Sequence, residues 1–379
     1  MTTPRVEGVD VARGIASLVM IQGHAYHGWV APEHHATTSY QLTRLLGTLP
    51  LPAFLVLAGA AIAHRVEAAA RRDEDAAVVR RAVIRRGLVV VLWGYLTNGL
   101  FALIDGGRTL DTLLRADVLH VIGLSIVLLA WLGIRGEGTA APSLRRLGWT
   151  ALGLGATVTA ASPWLNALTP AASGYARFVV ALVADVPGVT RMPVVPLTAW
   201  MCAGAGVGLL LIARRKARPA DAFAARAGAP GWTLAGIAAA ALAGALVTAG
   251  LTDAAVAASG EPLSRAHPAV GLNVLDLAAR GALVLAVGAV LTPWLPHRAR
   301  HLLVRLGRGS LLAYVVHIPF CYGRLGGALR GNLDMASATV WVIMLMVMSY
   351  VVVFVRDETR ARARAMITNR QARVARGNA

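Results

Sequence analysis

The stretch VDVARGIASLVMIQGHAYHGW, residues 9–29, is apolar enough to lie in hydrocarbon, yet it carries Asp10, Arg13, His24 and His27. An ionisable side chain at mid-membrane costs roughly 3 kcal/mol on insertion scales, so it normally faces a bundle interior and marks a pathway or a site. Arg13 and His24 are eleven residues apart. At about 100° and 1.5 Å per residue they share one helix face, roughly 16 Å apart along the axis. Asp10 sits one turn below Arg13 and can pair with it, and His27 sits one turn above His24. The helix therefore presents a cation near one mouth and imidazoles from mid-membrane outward. A guanidinium there can grip a phosphorylated compound, and a desolvated neutral imidazole can act as a base. The plainer alternative has Arg13 snorkelling to the headgroups and His24 packing as a hydrogen-bonded core residue.

The rest of the chain has the composition of a membrane protein. Of its 379 residues 56% are hydrophobic and only 15% charged, with a mean hydropathy of +0.60. A soluble domain carries about a quarter charged residues. Long, nearly charge-free runs alternate with short arginine-rich pieces, the pattern of an all-α, polytopic integral membrane protein whose backbone satisfies its own hydrogen bonds. The net charge of +18 does not indicate nucleic acid, because the arginines sit between and after the apolar runs, where the positive-inside rule places them. Cys202 and Cys321 both fall in apolar runs, which argues against a disulfide framework or a zinc site. The first apolar run has no small-residue cleavage site after it, so it reads as a retained span and not a signal peptide.

Windows of about 18–20 residues predict ten transmembrane helices, near 11–30, 47–64, 87–104, 118–134, 147–165, 194–213, 231–251, 273–292, 311–329 and 336–355. The apolar stretch 175–190 is too short to span and reads as a partly embedded helix in an external loop. With the N-terminus inside, 28 of the 37 Lys and Arg residues fall on the inner side and 8 on the outer, leaving Arg280 within a span. This asymmetry places both termini in the cytoplasm and the protein in the cell (inner) membrane as a multi-pass chain. Residues 1–355 form a single transmembrane domain, without an internal repeat. Residues 356–379 form a basic cytoplasmic tail that lies on the anionic inner leaflet or is disordered.

Further polar residues fall inside the apolar runs. His120 follows Asp117 by one turn near the outer end of the fourth span, and a structural pair is as good a reading there as function. Asn98 lies in the third span. Asp276 and Arg280 are i,i+4 neighbours that read as a structural ion pair. His317 precedes Pro319 by two residues in the inner half of the ninth span and either lines a cavity or packs. The cluster RRAVIRRG, residues 80–87, is a topology anchor whose Arg85 and Arg86 can also meet phosphates at the inner surface. No phosphate-binding Gly-rich loop, His-Glu-x-x-His or Gly-x-Ser-x-Gly motif occurs, and no metal site is expected.

The first span resembles that of the transmembrane acyltransferase superfamily, which includes the acyltransferase family 3 sugar O-acetylases and the heparan-alpha-glucosaminide N-acetyltransferase family. The family pattern of Arg or Lys, ten residues, then His is met by Arg13 and His24, with Asp10 before and Gly14 after. Other pieces agree in order. LPAFLVLAGAAIA resembles the second span through Pro52, Phe54 and Gly59, RRGLVVVLWGYLTN the Arg-led third, and ADVLHVIGLS the fourth through Asp117, His120 and Gly123. PLTAWMCAGAGVG and GRGSLLAYVVH resemble later spans. The resemblance covers nearly the whole chain and is closest to the bacterial heparan-acetyltransferase-like branch. It departs at one point, since the sugar O-acetylases carry Arg-x-x-Arg near the third span where this chain has Arg81-x-x-x-Arg85.

The resemblance implies an acyl-CoA donor, acetyl-CoA in the first place, bound from the cytoplasm, and an acceptor presented from the far side. The acceptor would be a hydroxyl or amine of a glycan or other envelope molecule. His24 would be general base or transient acyl carrier and Arg13 its partner near the donor. Asp10, His27 and His120 complete the candidate catalytic set; Arg13, Arg85, Arg86 and His317 form the candidate donor-binding set. The partners expected are the lipid bilayer, acyl-CoA and the acceptor, with no nucleic acid; a monomer and a homodimer are both open. The competing class is a proton-coupled transporter using the same histidines, disfavoured by the lack of two similar halves.

Overall fold

The computed structural model describes residues 7–107, 109–135, 143–169, 173–216, 230–263, 267 and 269–377. Among these the chain is helical, with two isolated β-bridges and no strand. The α-helices in chain order are α1 (Glu7–Trp29), α2 (Thr38–Gly47), α3 (Pro50–Arg71), α4 (Ala76–Asp105), α5 (Leu110–Leu113), α6 (Val118–Gly133) and α7 (Leu144–Ala167). There follow α8 (Ala176–Val183), α9 (Val194–Lys216), α10 (Pro230–Ser259), α11 (Val270–Leu291), α12 (His297–Arg308), α13 (Ser310–Cys321) and α14 (Met335–Gly377).

Each of the ten expected spans overlaps a helix, but six helical stretches among the described residues are both long and apolar enough to cross a membrane. The protein is thus a multi-pass, membrane-embedded helical chain. Helices α1 and α7 are long enough, but polar and small residues dilute their apolar character. The expected ninth span, 311–329, differs most. It is the 12-residue helix α13, which at 1.5 Å per residue reaches only about 18 Å. Pro319 removes a backbone donor near its end, and the glycine-rich 323–327 then turns the chain through a short 3-10 helix. The C-terminal piece is also more regular than expected, because α14 runs without a break from Met335 to Gly377. The short stretch 175–190 contains α8, which buries Phe178 and Ala181 and exposes Val179 and Val183.

Two compact units divide the chain, the first comprising Met1–Ala12 with Thr48–Trp294 and the second Arg13–Gly47 with Leu295–Ala379. Helix α1 passes from one to the other between Ala12 and Arg13.

The first unit is built on backbone-close helix pairs, the geometry small residues allow in lipid. A methyl group at Gly59 of α3 would lie 2.1 Å from the Met201 carbonyl oxygen of α9, and one at Gly204 of α9 would lie 2.1 Å from the Val56 carbonyl oxygen of α3. Gly87 of α4 and Gly123 of α6 face each other in the same way. Around these contacts Leu55, Leu129, Leu147, Met201 and Leu209 are fully buried. The buried Trp200 donates its indole N–H to the Val274 carbonyl at 3.0 Å, which ties α9 to α11. Asp276 and Arg280 form the expected pair, at 2.9 Å from Nε and 2.8 Å from Nη2, and Arg280 Nη1 also donates to Thr48 Oγ1 at 3.2 Å.

In the second unit α12 and α13 meet at Gly309, where Val353 of α14 comes within 2.4 Å of the position a methyl group would take. Leu306, Ala313 and Val353 pack there with Leu18 of α1. A larger cluster of Ile21, Ala25, Tyr26 and Trp29 with Cys321, Val342 and Leu345 joins α1, α13 and α14.

The glycine contacts make a prediction of opposite signs. Gly59→Ala and Gly204→Ala should each destabilise the detergent-solubilised protein by about 1–3 kcal/mol through overpacking. Gly99→Ala and Gly244→Ala, where nothing lies within 4 Å of the added methyl, should be neutral or stabilising by up to about 1 kcal/mol. Thermal unfolding of the four variants checks this, and equal effects at all four would show that close approach is not what joins α3 to α9.

Candidate active site

Helices α1 and α13 run side by side in the same direction within the second unit. A methyl group at Gly28 would lie 2.2 Å from the Cys321 carbonyl oxygen, and one at Gly14 would lie 2.3 Å from that of Leu303 in α12. Both helices end at the same level, where their last carbonyls need partners. The indole N–H of Trp29 donates to the Phe320 carbonyl at 2.9 Å. The returning segment 331–333 donates from Gly331 to the Gly28 carbonyl at 3.0 Å, and from Asn332 and Leu333 to that of Trp29 at 3.1 and 3.0 Å.

This parallel seam brings together two histidines 293 residues apart in sequence. His24 Nδ1 lies 2.8 Å from His317 Nε2. The ring centroids are 5.1 Å apart with planes 11° from parallel, so the imidazoles meet edge to edge along the N···N line and are not stacked face on face. His317 is fully buried, and its Nδ1 lies 2.7 Å from the Ala313 carbonyl oxygen one turn back.

The bonding roles follow from that carbonyl. A carbonyl only accepts, so His317 Nδ1 carries the hydrogen. In the neutral ring Nε2 then holds the lone pair, and His24 Nδ1 must be the donor to it. Neutral His24 is therefore the Nδ1–H tautomer, with its own lone pair on Nε2. Protonation at His24 Nε2 would leave both bonds of this chain intact, because neither uses that nitrogen.

Aromatic rings surround the pair. Tyr314 meets His317 edge-on at 5.9 Å, and Tyr322 lies 5.5 Å from His24 and 5.9 Å from His27. His27 is exposed. At the other end, Arg13 is half-buried. Its neighbour Gly14 packs on α12, which carries Arg298, Arg300, Arg305 and Arg308. Arg305 lies over the Phe354 ring at 4.6 Å and 3.4 Å from Glu358. Asp10 is buried on the same helix, in the first unit.

His120, Asn98, Arg85 and Arg86 also lie in the first unit. His120 is a buried helix cap: its Nδ1 accepts from the Asp117 backbone N–H at 3.1 Å, while the Tyr95 ring stands edge-on at 4.3 Å. Its Nε2 is buried without a hydrogen-bond partner. Asn98 is structural, donating to the carbonyls of Leu113 and Arg115 at 3.2 and 2.9 Å. Arg85 and Arg86 are exposed on α4. His317, read from sequence as a donor contact, has both ring nitrogens engaged by His24 and Ala313. Among the described residues no three His, Cys, Asp or Glu side chains converge as metal ligands.

Sequence reasoning missed Tyr322 and the arginines of α12. The latter carried a signal, since HRARHLLVRLGR alternates basic and apolar residues at helical spacing.

The family model described as heparan-alpha-glucosaminide N-acetyltransferase, catalytic matches residues 5–243. The chain belongs to that family. Membership brings with it a membrane acetyltransferase type of activity. The matched region includes Arg13, His24 and His120 and ends before His317. A search of curated proteins finds no match.

The tautomer is directly measurable. Nitrogen-15 NMR of histidine-labelled protein should show His24 protonated at Nδ1 and bare at Nε2 in its neutral form. A signal for the opposite tautomer would contradict the donor assignment above.

Proposed function

We propose that the protein transfers an acyl group, acetyl in the first place, from acyl-CoA on the cytoplasmic side to a hydroxyl or amine of a glycan or other envelope acceptor. The observation that carries this reading is the hydrogen-bond chain Ala313 carbonyl, His317, His24, which presents the His24 Nε2 lone pair in a membrane-embedded helix. As the acceptor oxygen or nitrogen attacks the thioester carbonyl, Nε2 takes its proton. The carbon–sulfur bond then breaks, and the imidazolium returns the proton to the departing CoA sulfur. A transient acyl-histidine would use the same nitrogen, with Nδ1 still donating to His317. His317 acts here as a positioning residue, in the way a buried partner orients a catalytic imidazole.

Arg13 lies at the opposite end of the helix face from His24. With the arginines of α12 beside it, that end suits the phosphates of CoA. Asp10, one turn before Arg13 on the same helix, is proposed as the group that orients it. Tyr322 and His27 belong to the acceptor end. The cytoplasmic placement of the donor rests on the arginine asymmetry between loops.

His24→Ala should insert and unfold like the parent while losing transfer of label from acetyl-CoA by about 100- to 10,000-fold, the usual worth of a general base. His317→Phe keeps the ring volume without the bond and should lower kcat on the order of 100-fold while the Kd for CoA stays unchanged. Arg13→Ala should do the reverse and weaken CoA by about tenfold, or ~1.4 kcal/mol, in calorimetry. Full transfer activity in His24→Ala would remove that residue from the chemistry.

A further inference from the structure

A groove of about 400 Å³ lies between the end of α6 and the start of α7 in the first unit, lined by Leu132, Arg135, Arg146, Thr150, Gly153 and Leu154. Leu132 lies in the last turn of α6 and Arg135 two residues beyond its end, while Arg146, Thr150, Gly153 and Leu154, at spacings of four, seven and eight, share one face of α7. The polarity is graded along it. Arg135 follows the end of α6 and Arg146 lies in the first turn of α7, whereas Leu132 precedes the end of α6 and Gly153 and Leu154 lie about two turns further along α7.

The groove is flanked by two exposed indoles. Trp131 is 60% and Trp149 59% exposed, each adjacent in sequence to a lining residue. Exposed tryptophans gather at the headgroup level of a bilayer, where one edge is apolar and the other wet. The hydroxyl of Thr150 donates to the Arg146 carbonyl at 3.0 Å, which leaves the two arginines as the cationic donors of the groove. At Gly153 nothing lies within 4 Å of an added methyl group, so the floor there is flat and open.

We propose that this groove binds an anionic phospholipid, its phosphate held between Arg135 and Arg146 and its acyl chains running along Leu132, Gly153 and Leu154. The match is one of charge and of polarity gradient: a phosphate group and then hydrocarbon, in the order the lining residues present cation and then apolar surface. Arginine suits the phosphate because its planar fork donates two bonds in parallel. Basic grooves between spans on the positive side of the membrane take anionic headgroups for the same reason. The flanking tryptophans and apolar floor favour a lipid over a soluble phosphate compound such as CoA.

The test is native mass spectrometry of the full-length protein in detergent, titrated with equal dioleoylphosphatidylglycerol and dioleoylphosphatidylcholine. The parent should retain the anionic lipid in preference. Arg135→Gln/Arg146→Gln should lose roughly thirtyfold in that preference, from the usual worth of two basic side chains against an anionic surface. Gly153→Leu keeps both charges, places its Cβ where nothing lies within 4 Å, and should also abolish retention by filling the floor. Equal retention of the two lipids by the parent, or unchanged retention in both variants, would overturn the proposal. Stoichiometric displacement of the lipid by added CoA would likewise overturn it, by reassigning the groove to the donor. No outcome involves acyl transfer, so this result and the proposed activity stand or fall separately.

Discussion

The carbonyl oxygen of Ala313 can accept a hydrogen bond but not donate one, and that restriction passes from atom to atom through His317 to the ring of His24. It puts the hydrogen of His317 on Nδ1, the lone pair of His317 on Nε2, the hydrogen of His24 on Nδ1, and the remaining lone pair on His24 Nε2. Each link is short and none depends on a charged residue, so the chain survives in surroundings where an unpaired charge would be costly. Ala313 itself is fully buried. The imidazole at position 24 is thus oriented by a backbone group that no side-chain rotation can redirect.

For the chain of bonds to exist, α13 must lie beside α1 with its residues at a constant offset. Several independent features impose that register. Gly14 and Gly28 allow backbone contact at two levels of α1, Trp29 caps the end of α13, and residues 331–333 cap the end of α1. The shortness of α13 belongs to the same design. A helix that spanned the whole bilayer would carry its C-terminal carbonyls beyond the end of α1, out of reach of Trp29. Instead the chain breaks at Gly309, where Val353 presses too closely for any side chain, and restarts as a half-length helix.

The same residue types serve different ends elsewhere in the chain. His120 also sits inside a span, fully buried, but its Nδ1 is spent on the backbone of Asp117 at a helix start. Asp276 and Arg280 lie in lipid-embedded α11 and satisfy each other and Thr48. Burial of an ionisable side chain marks a cost that has been met. What meets it differs: a helix start for His120, an ion pair for Asp276, and a second imidazole for His24.

Much of the architecture was legible in the sequence because the membrane constrains the backbone to bond within each segment, which makes apolar run length a direct reading of helices. The same-face placement of Arg13 and His24 followed from helical periodicity alone, and the Asp276–Arg280 pair from their i,i+4 spacing. The half-helix at 310–321 was not legible, because hydropathy counts apolar residues and does not see that the chain turns at Gly323. Nor was the bond between His24 and His317. Periodicity relates residues of one helix; it says nothing about which helix is the neighbour, in what direction it runs, or at what register. Those were decided only by close packing at glycines and by the need of two helix ends to satisfy their carbonyls, interactions between segments nearly 300 residues apart.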